Sequence, residues 1–352
     1  MKKIALDTPA ILVDLDVVEA NIAKFQNYCD SHGLKVRPHI KTHKLPRLAH
    51  YQIKQGAIGI TCQKISEAET MISQGGIEDV LITYNILGEA KTKRLRALSE
   101  KVRLSVVADN ATVIEGLSKA FADAPAPLPV LVECNTGADR CGVATPEIAA
   151  ELAQRIDTLP GLKFLGLMTY PPTGKLPEVA KWLAEARDLI TVKGLSVEVI
   201  SSGGSPDMWQ AHEMPLATEY RIGTYAYNDR SLVNRGVCTW DDCALTVLAT
   251  VISVPSKHHA VIDAGSKVLT SDLLGLTGHG HVLSRDDLMI DQLSEEHGRI
   301  TSQQDINLKV GDQLRIVPNH ACVVANMLDH VELVRSETHL ESTSVIARGQ
   351  VW

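Results

Sequence analysis

Between residues 34 and 223, eight short apolar runs alternate with segments of helical spacing. This regularity constrains the fold more than any other feature of the chain. The runs cover 34–38, 57–61, 80–83, 103–107, 129–133, 163–169, 196–201 and 218–223. The stretches 65–73, 89–99, 111–121, 146–156 and 177–192 between them carry apolar residues at helical spacing and Ala/Glu/Lys/Leu-rich surfaces. Strand alternating with helix means βαβ units and a parallel sheet. Right-handed crossovers leave an open doubly wound sheet or a closed barrel. Eight strands predict an α/β protein with a (β/α)₈ TIM barrel. A doubly wound sheet would place a glycine-rich fingerprint after its first strand, where this chain has His39-Ile40-Lys41-Thr42-His43.

After Asn228 the texture changes. Strand-like runs at 244–253, 259–263, 313–317, 331–334 and 344–347 are separated by Gly/Asp/Ser turns, and helical patterns are scarce. A leading strand at 10–15 can pair with this region, and a helix is expected from 16 to 29 with Asp16 as its N-cap. The expected organisation is a barrel over 16–230 and a mostly β domain over 231–352 plus 1–15. A chain of 352 residues accommodates two such domains.

Composition narrows the function classes. A formal charge of −7 with 4% aromatic residues speaks against nucleic acid, which needs excess Lys/Arg and stacking platforms. The start of the chain carries Lys2 and Lys3, but Asp7, Asp14 and Asp16 interrupt its apolar runs, so no signal-peptide core forms. No long uninterrupted apolar stretch is present, so no membrane span is expected. The seven cysteines are odd in number, scattered and without a CxxC, which points to a reducing, cytoplasmic location.

The densest unusual stretch is Arg37-Pro38-His39-Ile40-Lys41-Thr42-His43-Lys44, at the C-terminal end of the first barrel strand, the face where such barrels place active sites. Cationic neighbours favour a neutral Lys41 amine, able to act as a nucleophile; a solvated basic loop is the alternative. Ser202-Gly203-Gly204 follows the seventh strand and opens an expected short helix, and Gly223-Thr224-Tyr225 closes the eighth. Loops at these two strands form the common phosphate site of such barrels. An amine at one end and a phosphate site at the other suit pyridoxal phosphate. Arg140, after the fifth strand, can reach the cofactor ring or phenolate, or else cap a surface loop. In the β region, Pro318-Asn319-His320-Ala321-Cys322 places His320 and Cys322 two apart. On an extended strand they would face one way and share a divalent ion such as Zn²⁺, or form an ordinary buried pair. His279 and His281 are a second pair in a glycine-rich loop.

With these residues in view, the chain resembles the D-threonine aldolase and D-serine dehydratase family, which shares its barrel with alanine racemase. The resemblance rests on TPAILVDLDVVEANI, RPHIKTHK, GADRCGV, SSGGSPDMW, TEYRIGTYAYND, VIDAGSK and VPNHACVV, spread from Thr8 to beyond Cys322. It implies Lys41 as Schiff-base lysine, with His39, Arg140 and Tyr170 about the cofactor. Lys41 and Tyr170 are then the catalytic candidates. It implies phosphate binding at Ser202, Gly203, Gly204, Gly223, Thr224 and Tyr225, and a Zn²⁺, Mn²⁺ or Mg²⁺ ion on His320 and Cys322. It further implies a homodimer acting on a small β-hydroxy-D-amino acid.

Two departures bear on the reaction. Family aldolases use His-x-Asp for the metal and dehydratases His-x-Cys, so Cys322 favours dehydratase. Members also carry a histidine after the sixth strand, where this chain reads Thr169-Tyr170-Pro171-Pro172-Thr173-Gly174. The chain as a whole looks most like the D-threonine-aldolase-like group. The expectation is therefore retro-aldol cleavage to glycine and an aldehyde, with water elimination by a D-serine or 3-hydroxy-D-aspartate dehydratase as the alternative. A racemase lacks support because the last tyrosine is Tyr227, leaving the β domain without a second base. A non-catalytic cofactor-binding barrel leaves the β domain unexplained.

Overall fold

The computed structural model describes residues 5–352. Residues 1–4, which include Lys2 and Lys3 and the start of the 1–15 segment, lie outside the described residues. The strands in chain order are β1 (Ala10–Asp14), β2 (Lys35–Pro38), β3 (Ile60–Cys62), β4 (Asp79–Ile82), β5 (Arg103–Ala108), β6 (Leu128–Cys134), β7 (Leu162–Thr169), β8 (Val199–Ser202) and β9 (Glu219–Ile222). They continue with β10 (Leu245–Ser256), β11 (His259–Ile262), β12 (His281–Val282), β13 (Met289–Leu293), β14 (Gly298–Thr301), β15 (Gln313–Val317), β16 (His330–Arg335) and β17 (Thr338–Ser344). The α-helices are α1 (Leu15–Ser31), α2 (Pro46–Lys54), α3 (Ile65–Ile72), α4 (Glu89–Ser99), α5 (Ala111–Phe121), α6 (Pro146–Thr158), α7 (Leu176–Val192), α8 (Arg230–Asn234), α9 (Ser266–Leu269) and α10 (Ala321–Val324). No helix among the described residues is long and apolar enough to cross a membrane.

The chain forms two compact units. One, the barrel unit, comprises Phe25–Lys41, Pro46–Gly223 and Gln350–Trp352. The other, the β unit, comprises the residues up to Lys24, Thr42–Leu45 and Thr224–Gly349.

In the barrel unit, the expected strands pair in parallel in the order β2-β9-β8-β7-β6-β5-β4-β3, and a bridge between His39 and Thr61 brings the two end strands together. Strands covered on both faces read as continuous apolar runs, and Leu81, Val107, Leu131 and Met168 form one buried cluster across β4 to β7. The connecting helices start where the sequence caps them. The Asn110 side chain accepts from Val113 N–H, and Thr145 accepts from Ile148 N–H ahead of Pro146. Inside the barrel a polar chain ties strands together. Arg37 donates to Asp79 (2.5 Å) and Glu219 (3.0 Å), Ser201 donates to Glu219, and Arg221 donates to Ser201 (2.7 Å) and the Thr169 carbonyl (2.7 Å).

The β unit holds a sheet in the order β13-β14-β11-β10-β1-β16-β17, with β15 pairing β10 and β12. β1 runs antiparallel to β10 and parallel to β16.

Several local expectations are corrected. α1 begins at Leu15, and Asp14, not Asp16, accepts the Asp16 N–H (3.0 Å). Asp16 instead binds Arg335 and Ser336. α2 was not anticipated, because its Arg, His, Gln and Lys residues leave a thin apolar face. The last strand covers Thr338–Ser344 rather than 344–347, since it pairs back across a tight turn on β16. β12, β13 and β14 were also missed; they are short, and pairing with their neighbours defines them.

Candidate active site

The loop after β2 turns through a 3₁₀ segment, Ile40–Thr42. From Val36 to Leu45 every residue is buried except Lys41, which is exposed. A solvated basic loop would expose several of its charges. Here Arg37 is consumed by the barrel's ion pairs, and His39, His43 and Lys44 are buried. The Lys41 N–H donates to His39 Nδ1 (3.3 Å), and His39 Nε2 meets Gln63 Oε1 (3.1 Å). Burial pushes the His39 imidazole well below its ordinary range, and the nearby Lys41 charge adds to this. The cationic crowding expected of the loop therefore registers on His39, which stays neutral beside the lysine.

The other barrel candidates also sit at strand ends. Ser202 closes β8, and its hydroxyl is buried without a hydrogen-bond partner. Gly203 follows at φ +145°, where a Cβ would meet the Arg221 carbonyl oxygen at 2.0 Å, so only glycine fits. Tyr220 Oη donates to the Gly204 carbonyl (2.8 Å) and fixes the turn. The helix expected to open at this loop is a 3₁₀ segment starting only at Met208. The turn is therefore held by side chains rather than by a helix start. Across the loops after β6 and β7, the Arg140 guanidinium lies 4.7 Å from the Tyr170 ring centroid, a cation–π contact between two exposed side chains.

Two buried groups at this end of the barrel were not singled out from the sequence. Burial lifts the Glu133 carboxyl to about 7, against the pull of Arg140 and with Asp109 adding to it. Burial lowers Arg221 to about 10, against Glu219 and Glu133. For Glu133 the signal was a charged residue inside an otherwise apolar barrel strand; Arg221 shares its short strand with Glu219, so no such contrast marks it. An orphaned buried hydroxyl, a glycine turn, a lone exposed lysine and buried charges fit a phosphate-bearing aldehyde cofactor.

In the β unit, the extended-strand argument for His320 and Cys322 fails in its geometry. β15 ends at Val317, His320 is the N-cap of α10 and Cys322 lies in its first turn. The two side chains nonetheless lie close enough for Cys322 to raise the His320 pKa. The backbone is pinned here by α8: Asp229 accepts from Ala321 N–H (3.0 Å), and Arg230 and Ser231 N–H donate to the Pro318 and Asn319 carbonyls. The Thr42 and Thr224 hydroxyls lie 3.1 and 3.3 Å from Cys322 Sγ. Thr224, expected at the phosphate, thus has its side chain on the candidate metal ligand, and Tyr225 is buried. The Tyr227 hydroxyl is buried without a partner; burial raises its pKa, and Cys322 adds to this. Burial alone would lower His320, but Cys322 and the Asp272 carboxylate hold it at about 9. Among the described residues no group of three or more His, Cys, Asp or Glu assembles. The pair therefore offers one nitrogen and one sulfur, a set that suits a borderline-soft divalent ion with open positions. His281 of the other candidate pair stacks on Trp240 at 3.9 Å and faces Asp286.

Comparison with known proteins agrees with this layout. Residues 13–231 match the family model described as "Alanine racemase, N-terminal domain", and residues 244–334 match "Putative serine dehydratase domain". The chain is 33% identical to 3-hydroxy-D-aspartate aldolase of Paracoccus denitrificans, over 99% of this chain and 94% of that protein. It is 30% identical to D-threo-3-hydroxyaspartate dehydratase of a Delftia species, over 91% of this chain and 92% of that one. The solved structure of D-threonine aldolase from Filomicrobium marinum superposes with a TM-score of 0.91 at 32% identity, covering both chains completely. A barrel and a β region matched over nearly the full length of such relatives place this chain in the D-threonine aldolase and D-serine dehydratase family of alanine-racemase-like, pyridoxal-phosphate-dependent enzymes.

Proposed function

We propose that the protein is a pyridoxal-phosphate- and divalent-metal-dependent lyase that cleaves β-hydroxy-D-amino acids to glycine and an aldehyde. The observation that carries this reading is Lys41, the one exposed residue of a buried loop at the C-terminal end of β2. Pyridoxal phosphate supplies an electron sink for the bonds at a substrate Cα, and the divalent metal a Lewis acid for its β-hydroxyl.

In this reading Lys41 is the amine that anchors the cofactor and, once displaced by the substrate amine, a base at Cα. Neutral His39 beside it adds no second positive charge. The Ser202 hydroxyl and the backbone of Gly203, Gly204, Gly223, Thr224 and Tyr225 hold the phosphate. Arg140 and Tyr170 flank the ring. His320 and Cys322 hold the metal, Zn²⁺, Mn²⁺ or Mg²⁺, while the Thr42 and Thr224 hydroxyls lie within hydrogen-bonding distance of the Cys322 sulfur. The barrel over 16–230 serves the cofactor, and the region 231–352 with 1–15 serves the metal. A homodimer follows from the family resemblance, and a cytoplasmic location suits seven cysteines that form no disulfide with one another.

Cys322, where the resemblance gives aldolases an aspartate, favours the second reading, a dehydratase acting on D-serine or 3-hydroxy-D-aspartate. In cleavage a proton leaves the β-hydroxyl and Cα–Cβ breaks. In elimination Lys41 takes the α-proton, and the β-hydroxyl, taking up a proton, departs as water. Product analysis with cofactor and metal present separates the two. Glycine with an aldehyde from D-threonine or 3-hydroxy-D-aspartate is expected, whereas pyruvate from D-serine selects the dehydratase. Turnover of none of these substrates rejects both readings.

A further inference from the structure

We infer that Asp272 is a positioning residue for the metal pair, fixing the ring of His320 so that its Nε2 is the nitrogen offered beside Cys322. The inference rests on the proposed metal role of His320 and Cys322. Asp272 Oδ2 lies 2.6 Å from His320 Nδ1, with the side chains 37% and 26% exposed. Forty-eight residues separate the two in the chain, so no local spacing brings them together. Asp272 is itself oriented by its N–H donating to Thr270 Oγ1 (3.3 Å), just past the end of α9.

An imidazole that gives its Nδ1 proton to a carboxylate has only Nε2 left for a metal, and the carboxylate makes that nitrogen more basic. The other nearby acid cannot take this part. Both Asp229 oxygens are committed, Oδ1 to the Ser231 hydroxyl and Leu232 N–H and Oδ2 to Ala321 N–H. Asp229 holds the backbone of the turn and Asp272 holds the ring. Without Asp272 the ring can rotate about its Cβ–Cγ bond and present either nitrogen, while Cys322 keeps its hydrogen bonds to Thr42 and Thr224.

The test uses the full-length protein loaded with pyridoxal phosphate and stripped of metal by chelation. Zn²⁺ affinity is read by competition with a chromophoric chelator, in the absence of substrate. Asp272→Ala is expected to weaken Zn²⁺ binding roughly 10–100-fold. Asp272→Asn, whose amide oxygen still accepts from Nδ1–H, is expected to recover part of that loss. Melting temperature and the visible cofactor band of both variants should match the wild type, which separates positioning from misfolding. Zn²⁺ binding by Asp272→Ala within about twofold of wild type overturns the inference, as does an Asp272→Asn variant no better than the alanine. His320→Ala reports on the underlying reading. If it binds Zn²⁺ as the wild type does, the metal assignment itself is wrong. If it loses Zn²⁺ while Asp272→Ala does not, the assignment stands and the positioning role falls.

Discussion

At the mouth of the barrel, the candidate residues follow strand ends. Lys41 comes just after β2, Glu133 lies within β6, Ser202 closes β8 and Gly203 comes next. Around His320 and Cys322, the groups come from Thr42, Thr224, Asp229 and Asp272, none of them on a strand. A parallel barrel delivers every strand end to one face, so its candidate site is assembled by regular backbone geometry. The turn around His320 and Cys322 has no such frame and is assembled one side-chain hydrogen bond at a time. Damage should differ accordingly: breaking one hydrogen bond at the turn should weaken a ligand, while a substitution at the barrel mouth should act through the cofactor or the backbone.

The largest effect is expected at the barrel mouth. Lys41→Ala should abolish the visible absorbance band that appears on reconstitution with pyridoxal phosphate and lower kcat roughly 10²–10⁴-fold or more. A wild-type protein that stays colourless with the cofactor would refute the barrel side of the comparison. At the turn, Cys322→Ala or chelation should raise the activation barrier by several kcal/mol while leaving that band in place. Full activity in chelator would show that the turn is structural.

Gly203→Ala probes the backbone frame. Its Cβ would clash with the Arg221 carbonyl in a conformation that L-residues avoid. A loss of about 1–3 kcal/mol is expected in urea unfolding, together with weaker cofactor retention. An unchanged midpoint would mean that the β8–β9 turn yields more easily than a packed backbone should.

An effect of comparable size, confined to one pH window, concerns Glu133 in the cofactor-free protein. Its folded pKa of about 7 lies above the ordinary 4.5, so its neutral form is the one the fold favours. Its contribution is fully present below 4.5 and is lost as pH rises to about 7. Glu133→Gln should therefore unfold at the same denaturant concentration as wild type in acid and be more stable above pH 7, by up to about 2–3 kcal/mol. Parallel stability curves for the two proteins across that window would contradict a buried, protonated Glu133.

The two regions were unequally legible from the sequence. Helix α5 with its Asn110 cap and helix α6 with Thr145-Pro146 carry their start signals locally, and the barrel strands are runs that only a doubly covered sheet tolerates. Lys41 is singled out because strand position predicts the functional face. By contrast, β12 to β14 are too short to carry a period of their own, and the strand expected at 344–347 lies earlier because pairing with β16 sets its register. His320 and Cys322 do meet, but not for the local reason the sequence suggested. They converge at the start of α10, not along a strand.

By itself the sequence determined the alternating barrel, the placement of Lys41 and the two glycine turns, and the presence of a His-x-Cys pair. These follow from periodicity and from residue types that only certain backbones and chemistries use. The tertiary structure alone decided that Lys41 is the exposed member of a buried basic loop, because the burial of Arg37, His39, His43 and Lys44 depends on partners distant in sequence. It also decided that Asp272 meets His320 and Asp229 meets Ala321. A hydrogen bond across 48 or 92 residues leaves no periodic trace, since its partners are placed by the packing of whole elements.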